Sequence, residues 1–146
     1  MLGKYQNILI AVDGSEPSYE AFEAAINIAK KEQAKLHVLY VNELTDAFLV
    51  DDERVDQLVR DRMDKMTQEI FDKCKEIAQK MAFDNVTYHT KSGSPKREII
   101  RFNDSDEPID LIIAGATGLS AVKRVMVGST SAYVVNHAKT NVLIIK

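Results

Sequence analysis

The sequence predicts an α/β protein of the doubly wound class, a five-stranded parallel β-sheet with helices on both faces. Three observations predict it. First, short and almost wholly apolar runs recur along the chain, as in NILIAV at 7–12, KLHVLYV at 35–41 and VLIIK at 142–146. Runs without polar alternation mark strands buried on both faces. Second, segments with helical apolar spacing lie between those runs, and regular alternation of strand and helix implies a parallel sheet with right-handed crossovers. Third, the 146 residues are 45% hydrophobic and 28% charged. That fits a single domain, 1–146, able to bury about two-thirds of its surface without a disulfide or structural metal.

The elements follow in order. The first strand is Asn7–Val12, ending at Asp13-Gly14-Ser15. Ser15 is a helix N-cap candidate and Pro17 is tolerated in a first turn. Phe22, Ala25, Ile26 and Ala29 then recur at helical spacing, predicting a helix over 16–33. Lys35–Val41 is the second strand, and Thr45–Asp52 reads as loop. A long amphipathic helix is expected over 53–82. Its apolar stripe runs through Val55, Leu58, Val59, Met63, Met66, Ile70, Cys74, Ile77, Ala78 and Met81, spacings that place them on one face. Met63, Met66 and Met81 are read as core. Val86–Thr90 is the third strand, and Gly93-Ser94-Pro95 a turn into a helix over 96–103. Asp110–Ala116 is the fourth strand. Residues 118–128 read as loop or short helix, 129–138 as a last helix and Val142–Lys146 as the fifth strand.

Composition narrows the function classes. Net charge is −3 and the sequence pI about 5.6, which argues against a sequence-independent nucleic-acid binder. The single cysteine, Cys74, allows no intrachain disulfide and suits a reducing compartment. The N-terminal segment lacks a signal-peptide layout. No stretch approaches the 18 apolar residues of a membrane span. A cytoplasmic, non-membrane protein is therefore expected. The charge is uneven, because the last quarter carries Lys123, Arg124, Lys139 and Lys146 against Asp110 alone.

In an open α/β sheet, ligands bind beyond the carboxyl ends of the strands, near the switch point. Those ends carry Asp13-Gly14-Ser15, Val41-Asn42 and Gly115-Ala116-Thr117-Gly118, while Gly128-Ser129-Thr130-Ser131 opens the last helix. Glycines there permit close backbone approach to a ligand. A helix N-terminus bearing hydroxyls and free amides favours phosphate, and Lys123 and Arg124 lie in the loop between. The same glycines and hydroxyls also serve as ordinary turn and cap residues, and taken alone they leave both readings open.

The spacing Gly115-x2-Gly118-x9-Gly128-Ser129 resembles the G-x2-G-x9-G-[S/T] nucleotide motif of the universal stress protein family. ILIAVDGSEPSYEAFEAAINIA looks like that family's first strand and helix, and LHVLYV like its second strand. Gly93-x-Pro95 with Glu98-Ile99-Ile100, DLIIAGATG and NVLIIK match its later elements. The resemblance covers nearly the whole chain except 43–85. Thr140-Asn141 stands where the family often has proline, a departure that touches a turn and not the site.

The resemblance implies strand order 3-2-1-4-5 and the branch of the family that retains ATP. It places Asp13 and Val41 at the adenine and ribose end, with Ala11, Ala114 and Gly115 lining the nucleoside. Gly118, Gly128, Ser129, Thr130 and Ser131 would hold ribose and phosphates, and Met126 and Val127 would pack the loop. The expected function is ATP binding in stress response or signalling, with nucleotide state biasing interaction with an unidentified protein partner. Mg²⁺ would arrive on the phosphates. A weak ATPase or phosphotransferase is the alternative, and a ligand-free structural dimer module a further one. The fifth strand would lie at the sheet edge, and an apolar edge invites pairing, so a homodimer through that strand is expected.

No residue reads as catalytic or metal-ligating. The P-loop, Rossmann and hydrolase-elbow motifs are absent. His37, His89 and His137 lie far apart in sequence, without Cys or carboxylate partners at ligand spacing, and read as structural. Cys74 reads as buried.

Overall fold

In the computed structural model, residues 4–43, 53–103, 108–116 and 128–146 are described. Chain order is β1 (Asn7–Val12), α1 (Glu16–Glu32), β2 (Lys35–Asn42), α2 (Glu53–Lys80), β3 (Val86–Ser92), α3 (Pro95–Asn103), β4 (Leu111–Gly115), α4 (Ser129–His137) and β5 (Asn141–Ile145). The sheet has the order β3-β2-β1-β4-β5, and every neighbouring pair is parallel. The expectations for Thr45–Asp52 and for residues 118–127 lie outside the described residues.

The apolar runs have two faces because the sheet has two cores. Ile8, Ile10, Val12, Leu36, Val38, Leu111 and Ile113 pack under α1 and α2, against Phe22, Ala25, Ile26, Ile70 and Cys74. The alternate positions Leu9, Leu39, Val41 and Ile112 pack against Ile99 and Phe102 of α3 and Val134 of α4. A strand covered on both sides has no solvent face on which a polar alternation could appear.

Local chemistry sets the helix ends. The Ser15 side chain accepts from the Ser18 amide at 3.2 Å, and Pro17 lies in the first turn, where its missing N–H costs nothing. The helix ends at Gln33, whose φ of 56° is left-handed, and the Ala34 amide closes the turn onto Ala29 at 2.9 Å. Gly93 adopts φ 137° ahead of α3, a conformation open to glycine.

One expectation needs correction. The stripe on α2 is not core along its whole length. From Ile70 onward it packs on the sheet, and Met81 joins that layer. Met63 is half-buried, but Met66 is 53% exposed and Leu58 62% exposed.

Candidate functional site

Strand β1 lies between β2 and β4, so the chain's crossovers diverge on either side of it. That divergence leaves a crevice beyond the carboxyl end of the strands. Most of the expected site residues converge there.

On the β1 side, Asp13 is held by a turn of its own making. Its Oδ1 accepts from the Ser15 amide at 2.9 Å and from the Ser15 hydroxyl at 2.5 Å, while the Asp13 amide donates to Ser18 Oγ at 3.3 Å. These contacts fix the carboxylate at the strand end. Gly14 between them has φ +85°, and a Cβ there would lie 3.2 Å from Ile70 Cδ1. The middle of α2 therefore closes directly on the β1 loop. Ala11 is half-buried inside β1.

At the β2 end, the expected Val41 is joined by contacts from α2 that sequence reasoning missed. Val41 and Asn42 are buried. The Asn42 carbonyl accepts from the Gly93 amide at 2.9 Å, and its side-chain oxygen accepts from Thr67 Oγ1 at 3.4 Å. The Tyr40 hydroxyl donates to Met66 Sδ at 3.3 Å. Nothing in the spacing of Met66, Thr67 or Asn42 shows that a long helix docks at this rim. Burial is the main cause that raises the Tyr40 pKa above the usual phenol value, reinforced by the charges of Asp13 and Glu43. Tyr19 shifts the same way, first through burial and then through neighbours that include Asp13. The Asp13 charge is thus felt by two phenols on neighbouring elements.

On the other side, the start of α4 is tied to the end of β4. Ser131 Oγ donates to the Gly115 carbonyl at 2.6 Å, and the Gly128 amide donates to the Ala116 carbonyl at 2.6 Å. A Cβ on Gly128 would lie 3.3 Å from that carbonyl oxygen. Gly128 has φ −65°, so close approach, not left-handed backbone, explains its place. Ser131 is buried and its hydroxyl holds the helix in position. Ser129 is exposed and Thr130 half-buried. The N-cap residue of α4 is Gly128, which has no side chain to cap it, and the first turn carries no acid, so among the described residues no side chain takes the leading amides at the positive end of the helix dipole. Ala114 is buried at the end of β4. Gly118 lies outside the described residues, as do Lys123, Arg124, Met126 and Val127.

Among the described residues no group of three His, Cys, Asp or Glu could hold a metal ion, and no helix is long and apolar enough to cross a membrane. Cys74 is buried, which pushes its thiol pKa up to about 12. His37 and His89 do not stand apart, since strand pairing brings their rings together.

Fold and strand order together define a doubly wound α/β protein whose switch point lies at the carboxyl ends of β1 and β4. The chain belongs to the universal stress protein family, whose model matches residues 4–146. A universal stress protein of Staphylococcus haemolyticus is 36% identical over 142 residues, 97% of this chain and 85% of that protein. The structure of the universal stress protein UspA from Lactobacillus plantarum is 35% identical, with TM-score 0.85 and 99% of each chain covered. Two more distant structures share the fold. A universal stress protein in complex with cAMP has TM-score 0.70 at 23% identity, covering 97% of each chain. One from Archaeoglobus fulgidus in complex with dAMP has TM-score 0.65 at 21% identity, covering 97% of this chain and 98% of that one.

Proposed function

We propose that this chain binds an adenosine nucleotide, ATP by preference, in the crevice between β1 and β4. In this reading it serves in stress response or signalling through a partner that senses the bound state. The observation that carries the reading is the start of α4, where the N-cap Gly128 offers no capping side chain and the first turn holds no acid, and where a side chain on Gly128 would crowd the Ala116 carbonyl of the β4 end. Such an end suits a phosphate. Asp13 and Val41 would hold the adenine and ribose end, while Ala11, Ala114 and Gly115 would line the nucleoside. Gly118, Gly128, Ser129 and Thr130 would hold ribose and phosphates, with Ser131 positioning the helix start. The cAMP and dAMP held by two fold neighbours support an adenine nucleotide. Mg²⁺ would arrive on the ATP phosphates.

The same reading takes the chain as one cytoplasmic domain that dimerises through β5. That strand is a sheet edge on which Leu143 is exposed, and such edges pair readily. A species of only about 16 kDa in ultracentrifugation at micromolar concentration would remove the dimer.

Calorimetric titration with ATP tests the site. The parent protein binds, and Gly128→Val, folded by circular dichroism, does not. Equal affinity in the two proteins would overturn the assignment. ADP release per bound ATP separates a binder from a weak ATPase or phosphotransferase, which would turn over many times per minute.

A further inference from the structure

We propose that Met66 is a modification site, oxidised to its sulfoxide by a peroxide, and that the Tyr40 hydroxyl registers the change by moving its hydrogen bond from the sulfur to the new oxygen. Met66 lies on α2 and Tyr40 on β2, 26 residues apart in sequence, with the Tyr40 hydroxyl donating to Met66 Sδ at 3.3 Å. The two differ sharply in access. Tyr40 is 7% exposed and Met66 53% exposed. A thioether sulfur is a weak acceptor, so the buried phenol holds a poor partner that solvent reaches. Burial first, then the charges of Asp13 and Glu43, raises the Tyr40 pKa. The hydroxyl therefore keeps its proton and remains a donor at neutral pH.

The setting favours this sulfur over the others on the described elements. Cys74 is buried and its thiol is pushed up to about 12, so at neutral pH it offers a peroxide no thiolate. Met63 and Met81 are half-buried, and Met81 packs against the core layer beneath α1 and α2. Met66 is the most exposed of these four residues. Its sulfur carries two lone pairs. Tyr40 engages one, and the other is left for an oxidant.

With hydrogen peroxide the step balances as follows. The free lone pair of Met66 Sδ attacks one peroxide oxygen, forming the S–O bond as the O–O bond breaks. The departing hydroxide takes the proton of the transferred hydroxyl and leaves as water. Sulfur loses two electrons and the peroxide gains two. A sulfoxide reductase reverses the change.

Methionine oxidation disrupts a core because it puts a polar group among apolar ones. At Met66 the new oxygen stays in contact with water, and it accepts a hydrogen bond far better than the thioether did. The Tyr40 ring is fixed from the side by Phe71, with centroids 6.4 Å apart and planes at 85°. The flexible Met66 side chain therefore adjusts to the phenol. The residues that follow on α2 carry the effect to the sheet. Thr67 Oγ1 lies 3.4 Å from Asn42 Oδ1, and Ile70 Cδ1 lies 3.2 Å from where a Cβ on Gly14 would stand. Oxidation thus tightens α2 against the carboxyl ends of β1 and β2.

Hydrogen peroxide treatment, followed by peptide mass spectrometry and urea unfolding, tests this in the parent protein, Met66→Leu and Tyr40→Phe. Met66 should gain one oxygen before Met63 and Met81. Met66→Leu, treated in parallel, subtracts the effect of every other methionine. Against it, the oxidised parent should gain about two- to tenfold in folding constant, the contribution of one ordinary hydrogen bond. Tyr40→Phe should show no such gain. Slower oxidation of Met66 than of Met63 or Met81, a folding constant unchanged or lowered in the parent, or an equal gain in Tyr40→Phe would overturn the proposal. Should Tyr40→Phe not fold, the ring resonances of Tyr40 decide. They should shift on oxidation of the parent and not of Met66→Leu, and resonances unmoved in both would refute the contact.

Discussion

Replacing Ser131 by alanine isolates the tether between α4 and the sheet. The Ser131 hydroxyl donates to the Gly115 carbonyl at 2.6 Å from a side chain only 6% exposed. A neutral hydrogen bond contributes about 0.5–1.5 kcal/mol net, and an orphaned buried carbonyl costs about 1–3 kcal/mol. Gly115 is half-buried, so water reaches the freed oxygen in part and the lower half of that range applies. The expected loss is about 1–2 kcal/mol, or a fall in Tm of about 3–6 °C for a chain of this size. Urea unfolding should show a lower midpoint with an unchanged m-value. ATP affinity should fall as well, because the amides at the start of α4 lose their fixed position. Unchanged stability would refute the tether. Lost affinity with unchanged stability would make Ser131 a direct ligand instead.

Three further outcomes are expected. Burial pushes the Cys74 thiol from 9.0 to about 12, so the folded protein keeps it neutral where the unfolded chain ionises it. Stability is intact below pH 9 and falls above it by up to about 1.4 kcal/mol per pH unit. Cys74→Ala should flatten that alkaline loss in urea unfolding, and a thiol reagent should modify Cys74 only as the protein unfolds. Gln33→Gly should stabilise by about 0.5–1 kcal/mol, since Gln33 ends α1 with φ 56°, where glycine has no Cβ penalty. Leu58→Gln should change the unfolding free energy from urea titration by less than about 0.5 kcal/mol, because Leu58 is 62% exposed.

Sequence reasoning succeeded where the information is local. The apolar runs, the Ser15 cap and the turn at Gly93-Ser94-Pro95 placed each described element within a residue or two. Strand order came from the family resemblance, and the sheet bears it out. What failed needs the assembled sheet. Helical periodicity identifies an apolar face but not what covers it, so Met66 and Leu58 read as core although each is more than half exposed. His37 and His89 become neighbours only once β2 and β3 pair in one particular register. Asp13 and Ser15 were both legible as strand-end residues, but not the bond between them that occupies Asp13 Oδ1. Asn42 and Thr67 carry no motif, and their meeting at the rim depends on where a 28-residue helix docks.

The most direct measurement is the identity and amount of nucleotide held by the purified protein. It would be incubated with Mg²⁺ and ATP, desalted, then denatured, and the released compounds identified by mass spectrometry. The account predicts an adenine nucleotide, predominantly ATP, approaching one per chain, with Gly128→Val retaining none. A folded parent protein that retains no adenine nucleotide and shows no calorimetric binding at millimolar ATP would contradict it.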